Sequence, residues 1–235
     1  MIYVQASWFG AEGPYAGFAA VDSTVRALAG LIKLIGPVEG PPLHAPDFQT
    51  GILAGLWGFI AAISSAIGPT EERPGRSCSL SIFESNLAIT EFLMFEAMRC
   101  GEVIRRIGIN RFWPVFPIGI YETKEGWVGV TTATPAQWRE FCDVLGLCDL
   151  RDDPALLLGE ERLKHVERIE REFMPRLKAQ TAQHWFAEGL KRKIPIVPVP
   201  TITELLQDTE KRARGALVPV LLGVDRGSRR DPCKD

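Results

Sequence analysis

The chain has 235 residues, 46% of them hydrophobic and 24% charged, with a formal net charge of -2. That composition can bury a core in one large domain or two small ones, and it excludes a disordered or low-complexity polymer. The basic residues are scattered apart from Lys191-Arg192-Lys193 and a run over 226–230; both are short and lack interleaved aromatics, so nucleic acid is not an expected partner.

Ile2 to Ser7 reads as a short buried strand at the start of the chain, followed by a loop over Gly10 to Tyr15. Helical spacing of Val21, Val25, Leu28 and Ile32 predicts a helix over 20–34. The next stretch, Gly36 to Pro46, contains four prolines, cannot continue that helix and leads to Asp47. From Phe48 to Thr70 no residue is charged, and this run reads as a second helix. Cys78 to Phe83 alternates as a strand, and 84–99 reads as a helix carrying Leu87, Leu93, Met94 and Met98. An irregular stretch from Arg105 to Pro117 reads as a linker between two periodic regions.

Beyond it, 118–123 and 127–132 form a hairpin around Lys124-Glu125-Gly126. Thr134, Pro135 and Gln137 write a helix start, Trp138, Phe141, Cys142 and Leu145 share one face, and Gly146 stops the helix. Further helices are expected at 158–178, at 181–190 with Thr181 as cap, and at 203–214, with an extended segment at 195–200. Trp138 and Trp185 read as core residues.

The chemistry turns on Asp47. A carboxylate at a helix start is held ionised by free backbone donors and by the helix dipole. It can cap the helix, or it can attack an activated acyl group and carry it covalently. On these residues alone capping is the simpler role. Gly51, Gly55 and Gly58 leave a bare edge on the same helix, which reads by default as a close-packing surface. The run 51–67 approaches membrane-spanning length, but Gly, Ala and Ser fill about half of it. A buried central helix is therefore expected, and no membrane association.

The cysteines Cys78, Cys100, Cys142, Cys148 and Cys233 show neither a disulfide framework nor zinc spacing, and His44, His165 and His184 form no metal motif. Reduced thiols and the lack of a charged-then-apolar leader give a cytoplasmic expectation.

The order of signals resembles the family III CoA-transferases, the group of formyl-CoA transferase, carnitine CoA-transferase and alpha-methylacyl-CoA racemase. The resemblance runs from Ile2-Tyr3-Val4 and Phe9-Gly10 through Gly13-Pro14-Tyr15-Ala16, Asp22, Ala27 and Gly30 to Asp47 with its glycine and alanine helix. It continues in Ser81-Ile82-Phe83-Glu84, in Tyr121 to Val128, in Gln137-Trp138 with Leu145-Gly146, and in Pro195 to Thr201. It implies an α/β fold: a fragment of the family's large, nucleotide-fold-like domain over 1–110, a linker at 111–116, a small α+β domain at 117–220 and a tail at 221–235. It implies an acyl-CoA:carboxylate CoA-transferase, in which Asp47 attacks the thioester and passes through an acyl-aspartyl anhydride and an aspartyl-CoA thioester. Coenzyme A thioester and a carboxylic acid acceptor are then the substrates, no cofactor is permanently bound, and the implied assembly is an interlocked homodimer. Residues that would bind coenzyme A are not assigned.

Three departures qualify the resemblance. The position of the racemase branch's histidine falls at Val21, which disfavours two-base isomerisation. The glycine-rich loop of formyl-CoA transferase would fall at Gly108 to Phe116, where this sequence reads Gly-Ile-Asn-Arg-Phe-Trp-Pro-Val-Phe, so formyl and oxalyl substrates are not expected. The nucleotide-fold half that supplies most coenzyme A contacts in the family has no counterpart in these residues, and weak activity or none is expected of the chain alone.

Overall fold

The computed structural model describes residues 1–44, 48–67, 75–101 and 105–218, the side chains of 91–93 and 100 excepted. In chain order the elements are β1 (Ile2–Ser7), α1 (Asp22–Leu28), α2 (Gln49–Ala66), β2 (Arg76–Ser81), α3 (Ile82–Leu87), α4 (Glu91–Cys100), β3 (Ile118–Glu122) and β4 (Trp127–Thr131). They continue as α5 (Pro135–Leu145), α6 (Cys148–Arg151), α7 (Gly159–Leu163), α8 (Val166–Leu177), α9 (Ala182–Arg192), β5 (Ile196–Pro198), α10 (Ile202–Gln207) and α11 (Thr209–Ala213). The chain divides into two compact units, one of residues 1–119 with 155–166 and the other of 120–154 with the residues from 167 onward.

In the first unit β1 and β2 pair in parallel, from Ile2 opposite Arg76 to Ser7 opposite Ser81. Parallel neighbours need a long crossover, and α1 and α2 lie on it. α2 packs against β1, β2 and α3 through small residues: Thr50, Ala54 and Ser65 are its buried positions. Its large side chains Ile52, Leu56, Phe59, Ile60 and Ile63 remain exposed. By length and composition α2 could cross a membrane, with a mean hydropathy of 1.3 and 17% of the helix buried.

The expected 20–34 helix is two pieces. α1 ends at Leu28, a 3-10 turn follows at Ile32–Leu34, and between them Gly30 sits at φ +80, outside helical geometry. Val21, expected on the apolar face, is the exposed N-cap; Val25 is the buried member. The expected helix at 84–99 starts two residues early, because the Ser81 hydroxyl accepts from Glu84 N–H at 3.2 Å. A 3-10 turn at Ala88–Thr90 divides it, and Met94 and Met98 are exposed.

The second unit carries the sheet β3-β4-β5, with β4 and β5 antiparallel. β3 and β4 are joined as the sequence predicts, Thr123 N–H donating to Gly126 O at 3.0 Å, and Gly126 takes φ +81. α5 has the expected capping box: Gln137 N–H donates to Thr134 Oγ1 at 3.2 Å, and Thr134 N–H returns to Gln137 Oε1 at 3.1 Å. Trp138, Phe141, Cys142 and Leu145 are all buried. Phe173 of α8 stands edge-on to Tyr121 and Phe141, at centroid distances of 5.0 and 5.6 Å, in geometry that suits aromatic quadrupoles. Trp185 is buried and donates Nε1–H to Leu177 O at 2.8 Å, tying α9 to the end of α8.

Two expected helices are again divided. The 158–178 helix is α7 and α8, separated at Lys164 and His165; the 203–214 helix is α10 and α11, separated at Asp208, whose carboxylate caps α11.

Candidate active site

Asp47 lies outside the described residues, and its surroundings are described by the residues that flank it. The residue after it, Phe48, is the N-cap of α2 and sits at φ +74, left-handed and uncommon for a bulky side chain. No side chain caps the helix from that position. The second helical N–H, at Thr50, donates instead to Asp22 Oδ1 of α1 at 2.7 Å. Thr50 is fully buried, and its hydroxyl reaches Asp22 O at 3.5 Å. The other oxygen of Asp22 lies 3.8 Å from Arg26 Nη1, both side chains being nearly enclosed.

An acid on a different helix thus occupies a free donor at the start of α2, where negative charge is favoured. The sequence reading weighed Asp47 alone for that task. Asp22 appeared there only as one residue of the resemblance, because a bond across 28 residues leaves no local signal.

The glycine edge has a different character from the one expected. A Cβ built at Gly51 or Gly55 meets nothing within 4 Å, and only at Gly58 does one touch a neighbour, Leu80 at 3.9 Å. Among the described residues, Gly51 and Gly55 are open rather than packed.

The loop before Asp47 closes on itself, Leu43 N–H donating to Ile35 O at 2.9 Å. Arg106 Nη2 donates to the carbonyls of Val38 and Gly40 at that loop's tip, at 3.3 and 2.6 Å. His44, His165 and His184 are exposed, and no described group of three His, Cys, Asp or Glu side chains could hold a metal ion. Cys78, Cys142 and Cys148 are free thiols.

The second unit has a cleft of about 640 Å³ whose lining includes Trp127, Val199, Pro200, Glu204 and Asp208. Its acids have structural employment. Thr201 N–H and Oγ1–H hold Glu204 at 2.7 and 2.8 Å, and Lys211 holds Asp208, so both carboxyls titrate below their ordinary range.

CoA-transferase family III matches residues 1–228. The chain belongs to CoA-transferase family III. This family III chain is 26% identical over 220 residues to the acetyl-CoA:oxalate CoA-transferase of Acetobacter aceti, covering 93% of this chain and 56% of that protein. It is 22% identical to the succinate–glutarate CoA-transferase of Agrobacterium fabrum, at 93% and 54% coverage, and 19% identical to the human succinyl-CoA:glutarate CoA-transferase, at 93% and 50%. The family III chain therefore spans about half the length of the curated relatives it matches. Its fold is that of a CaiB/BaiF family protein from Brucella suis, with a TM-score of 0.73 at 21% identity, covering 92% of this chain and 57% of that one. The Rv3272 protein of Mycobacterium tuberculosis gives a TM-score of 0.75 at 15% identity, covering 92% and 56%.

Proposed function

We propose that the chain carries the nucleophile of an acyl-CoA:carboxylate CoA-transferase, with Asp47 as that nucleophile. The observation that carries this reading is family membership over residues 1–228, joined to relatives whose names are those of CoA-transferases.

In this reading the Asp47 carboxylate attacks the thioester carbonyl, the C–S bond breaks, and coenzyme A leaves as a thiolate. The thiolate then attacks the aspartyl carbonyl of the anhydride, releasing the donor acid and leaving an aspartyl-CoA thioester. The acceptor carboxylate attacks that thioester, and the returning thiolate takes the new acyl group, regenerating Asp47. No net proton or electron is consumed, so no further cofactor is invoked. The working form is a cytoplasmic homodimer, with acyl-CoA and a carboxylic acid as substrates. Isomerisation is disfavoured because Val21, at the histidine position, offers no proton-transfer group.

The test is peptide mass spectrometry after incubation with acyl thioesters and trapping by hydroxylamine. A hydroxamate on Asp47, absent from Asp47→Ala, is the expected result; a folded chain that forms none would end this reading.

A second reading, consistent with the half-length match, is an inactive fragment or a subunit that needs a partner chain for coenzyme A binding. It expects weak binding by the purified chain, and a submillimolar dissociation constant for coenzyme A in calorimetry would overturn it.

A further inference from the structure

The sheet of the second unit has one packed face and one open face. Tyr121, Val128, Val130 and Ile196 are buried in the core. By the two-residue period of a strand, Ile120, Trp127, Gly129 and Val197 lie on the opposite face. Gly129 stands opposite Val197, and Val199 N–H donates to Trp127 O at 2.9 Å, which carries the β4–β5 pairing one step further. Ile120, Trp127, Val197 and Val199 are each 47–52% exposed. A Cβ built at Gly129 would stand 3.4 Å from Ile120 Cδ1 and 3.5 Å from Val197 Cγ2, so the aliphatic side chains close over the glycine and the patch is continuous across three strands. The solvated face of an antiparallel sheet is ordinarily polar, and an apolar patch rimmed by polar residues marks a contact surface.

Trp127 and Val199 also line the cleft of about 640 Å³, so the patch runs into it. All the lining residues belong to the second unit. The lining carries three carboxylates, Glu125, Glu204 and Asp208, against one ammonium, Lys211. Asp208 and Lys211 pair with each other. Glu204 takes both Thr201 bonds on Oε2. Among the described residues, neither its Oε1 nor the Glu125 carboxylate has a hydrogen bond or ion pair. The cations nearby do not cancel them: Arg212 donates to Leu206 O at 2.6 Å, and Lys124, next to Glu125 in the turn, is exposed and outside the lining. The cleft therefore presents two unopposed negative charges beside an indole face.

We propose that this face of the second unit binds an extended peptide segment of a partner protein, carrying a Lys or Arg with an aliphatic residue two positions away. The charge chooses a cation, and the Trp127 ring adds a cation–π contact to the carboxylates. Two residues of β4, about 7 Å, separate Trp127 from Gly129, which is also the spacing of same-face side chains in an extended peptide. A peptide with its cation in the cleft thus sets its aliphatic residue over the Ile120–Gly129–Val197 patch, whereas a small cation alone would leave that patch open. The proposal concerns the second unit and is independent of what acts at Asp47.

The probe is a fluorescein-labelled peptide, Gly-Ser-Leu-Thr-Arg-Ser-Gly, titrated with the 235-residue chain and read by fluorescence anisotropy. Saturable binding tighter than about 1 mM is expected. Replacing the peptide's Arg by Glu, or its Leu by Ser, weakens binding at least about fivefold, and so does moving the Leu next to the Arg. In the protein, Glu125→Gln with Glu204→Gln and, separately, Trp127→Ala weaken it at least about fivefold. Gln at 204 keeps an acceptor for the Thr201 bonds, and circular dichroism reports that each variant is folded. Val197→Lys removes the preference for the peptide's Leu. No saturable binding, equal binding of the Glu peptide, or binding unchanged in these folded variants overturns the proposal.

Discussion

Phe48 holds a left-handed backbone at the cap of α2, where an L side chain costs on the order of 1–2 kcal/mol. Glycine removes that cost but adds about 0.5–1 kcal/mol of backbone entropy to the unfolded chain. Phe48→Gly is therefore expected to change stability by less than about 1 kcal/mol, whereas the β-branched Phe48→Val adds strain and destabilises clearly. Urea denaturation of the pair separates backbone strain from loss of an exposed ring. Asp22→Ala strands the buried Thr50 N–H and removes the 3.8 Å ion pair with Arg26. The expected loss is about 1–3 kcal/mol, with Asp22→Asn recovering part of it because the amide oxygen can still accept. Equal losses for Ala and Asn would shift the credit from the hydrogen bond to the ion pair.

At the scale of elements, the helices with complete local signals form as predicted. α5 has a capping box, a proline at its first position, a four-residue apolar face and a glycine stop, and it is the helix whose bounds the sequence gives most directly. Phe141→Ala leaves a cavity beside Phe173 and Trp138 and is expected to cost about 3–5 kcal/mol in chemical denaturation. The divided helices failed where periodicity runs through a break that only backbone geometry or a cap reveals, as at Gly30 and Asp208. Gly159 is the corresponding test of a tertiary contact. Its Cβ would strike the backbone oxygen of Pro114, so Gly159→Ala is expected to lose about 1–3 kcal/mol despite alanine's better helix propensity. A stabilised variant would show that the two segments are farther apart.

For the molecule as a whole, the two units differ in how they are built. The second has an aromatic and aliphatic core around Tyr121, Phe141, Phe173 and Ile169, while in the first α2 buries only Thr50, Ala54 and Ser65 among its described side chains and leaves its large residues exposed. A helix apolar on every side is a buried helix in a folded assembly. The 235-residue chain is therefore expected to associate as concentration rises in sedimentation velocity, and Ile60→Lys with Phe59→Lys to suppress that association; a monomer at all concentrations would contradict this. Acid sensitivity is expected of the second unit. Glu204 and Asp208 have folded values depressed by Thr201 and Lys211, so their contribution is complete above the ordinary carboxylate range and is lost as pH falls through the folded values. Thermal unfolding should decline more steeply below about pH 4 in the parent chain than in Glu204→Gln.

What the sequence determined by itself was local or ordered along the chain: the hairpin at 123–126, the caps at Thr134 and Thr181, the apolar faces of α5 and α9, and the series of motifs that resembles the family. Each is a relation between residues a few positions apart, or a succession of such relations, and needs no knowledge of the fold. Tertiary structure decided the rest. It joined Asp22 to Thr50 across 28 residues, opened the Gly51 and Gly55 edge that sequence alone would have packed, and tied Arg106 and Arg162 to carbonyls far from them in the chain. Hydrogen bonds to backbone carbonyls and N–H groups leave almost no residue-type signature at the accepting or donating position, since every residue has the carbonyl and every one but proline the N–H. They become visible only when the chain is folded.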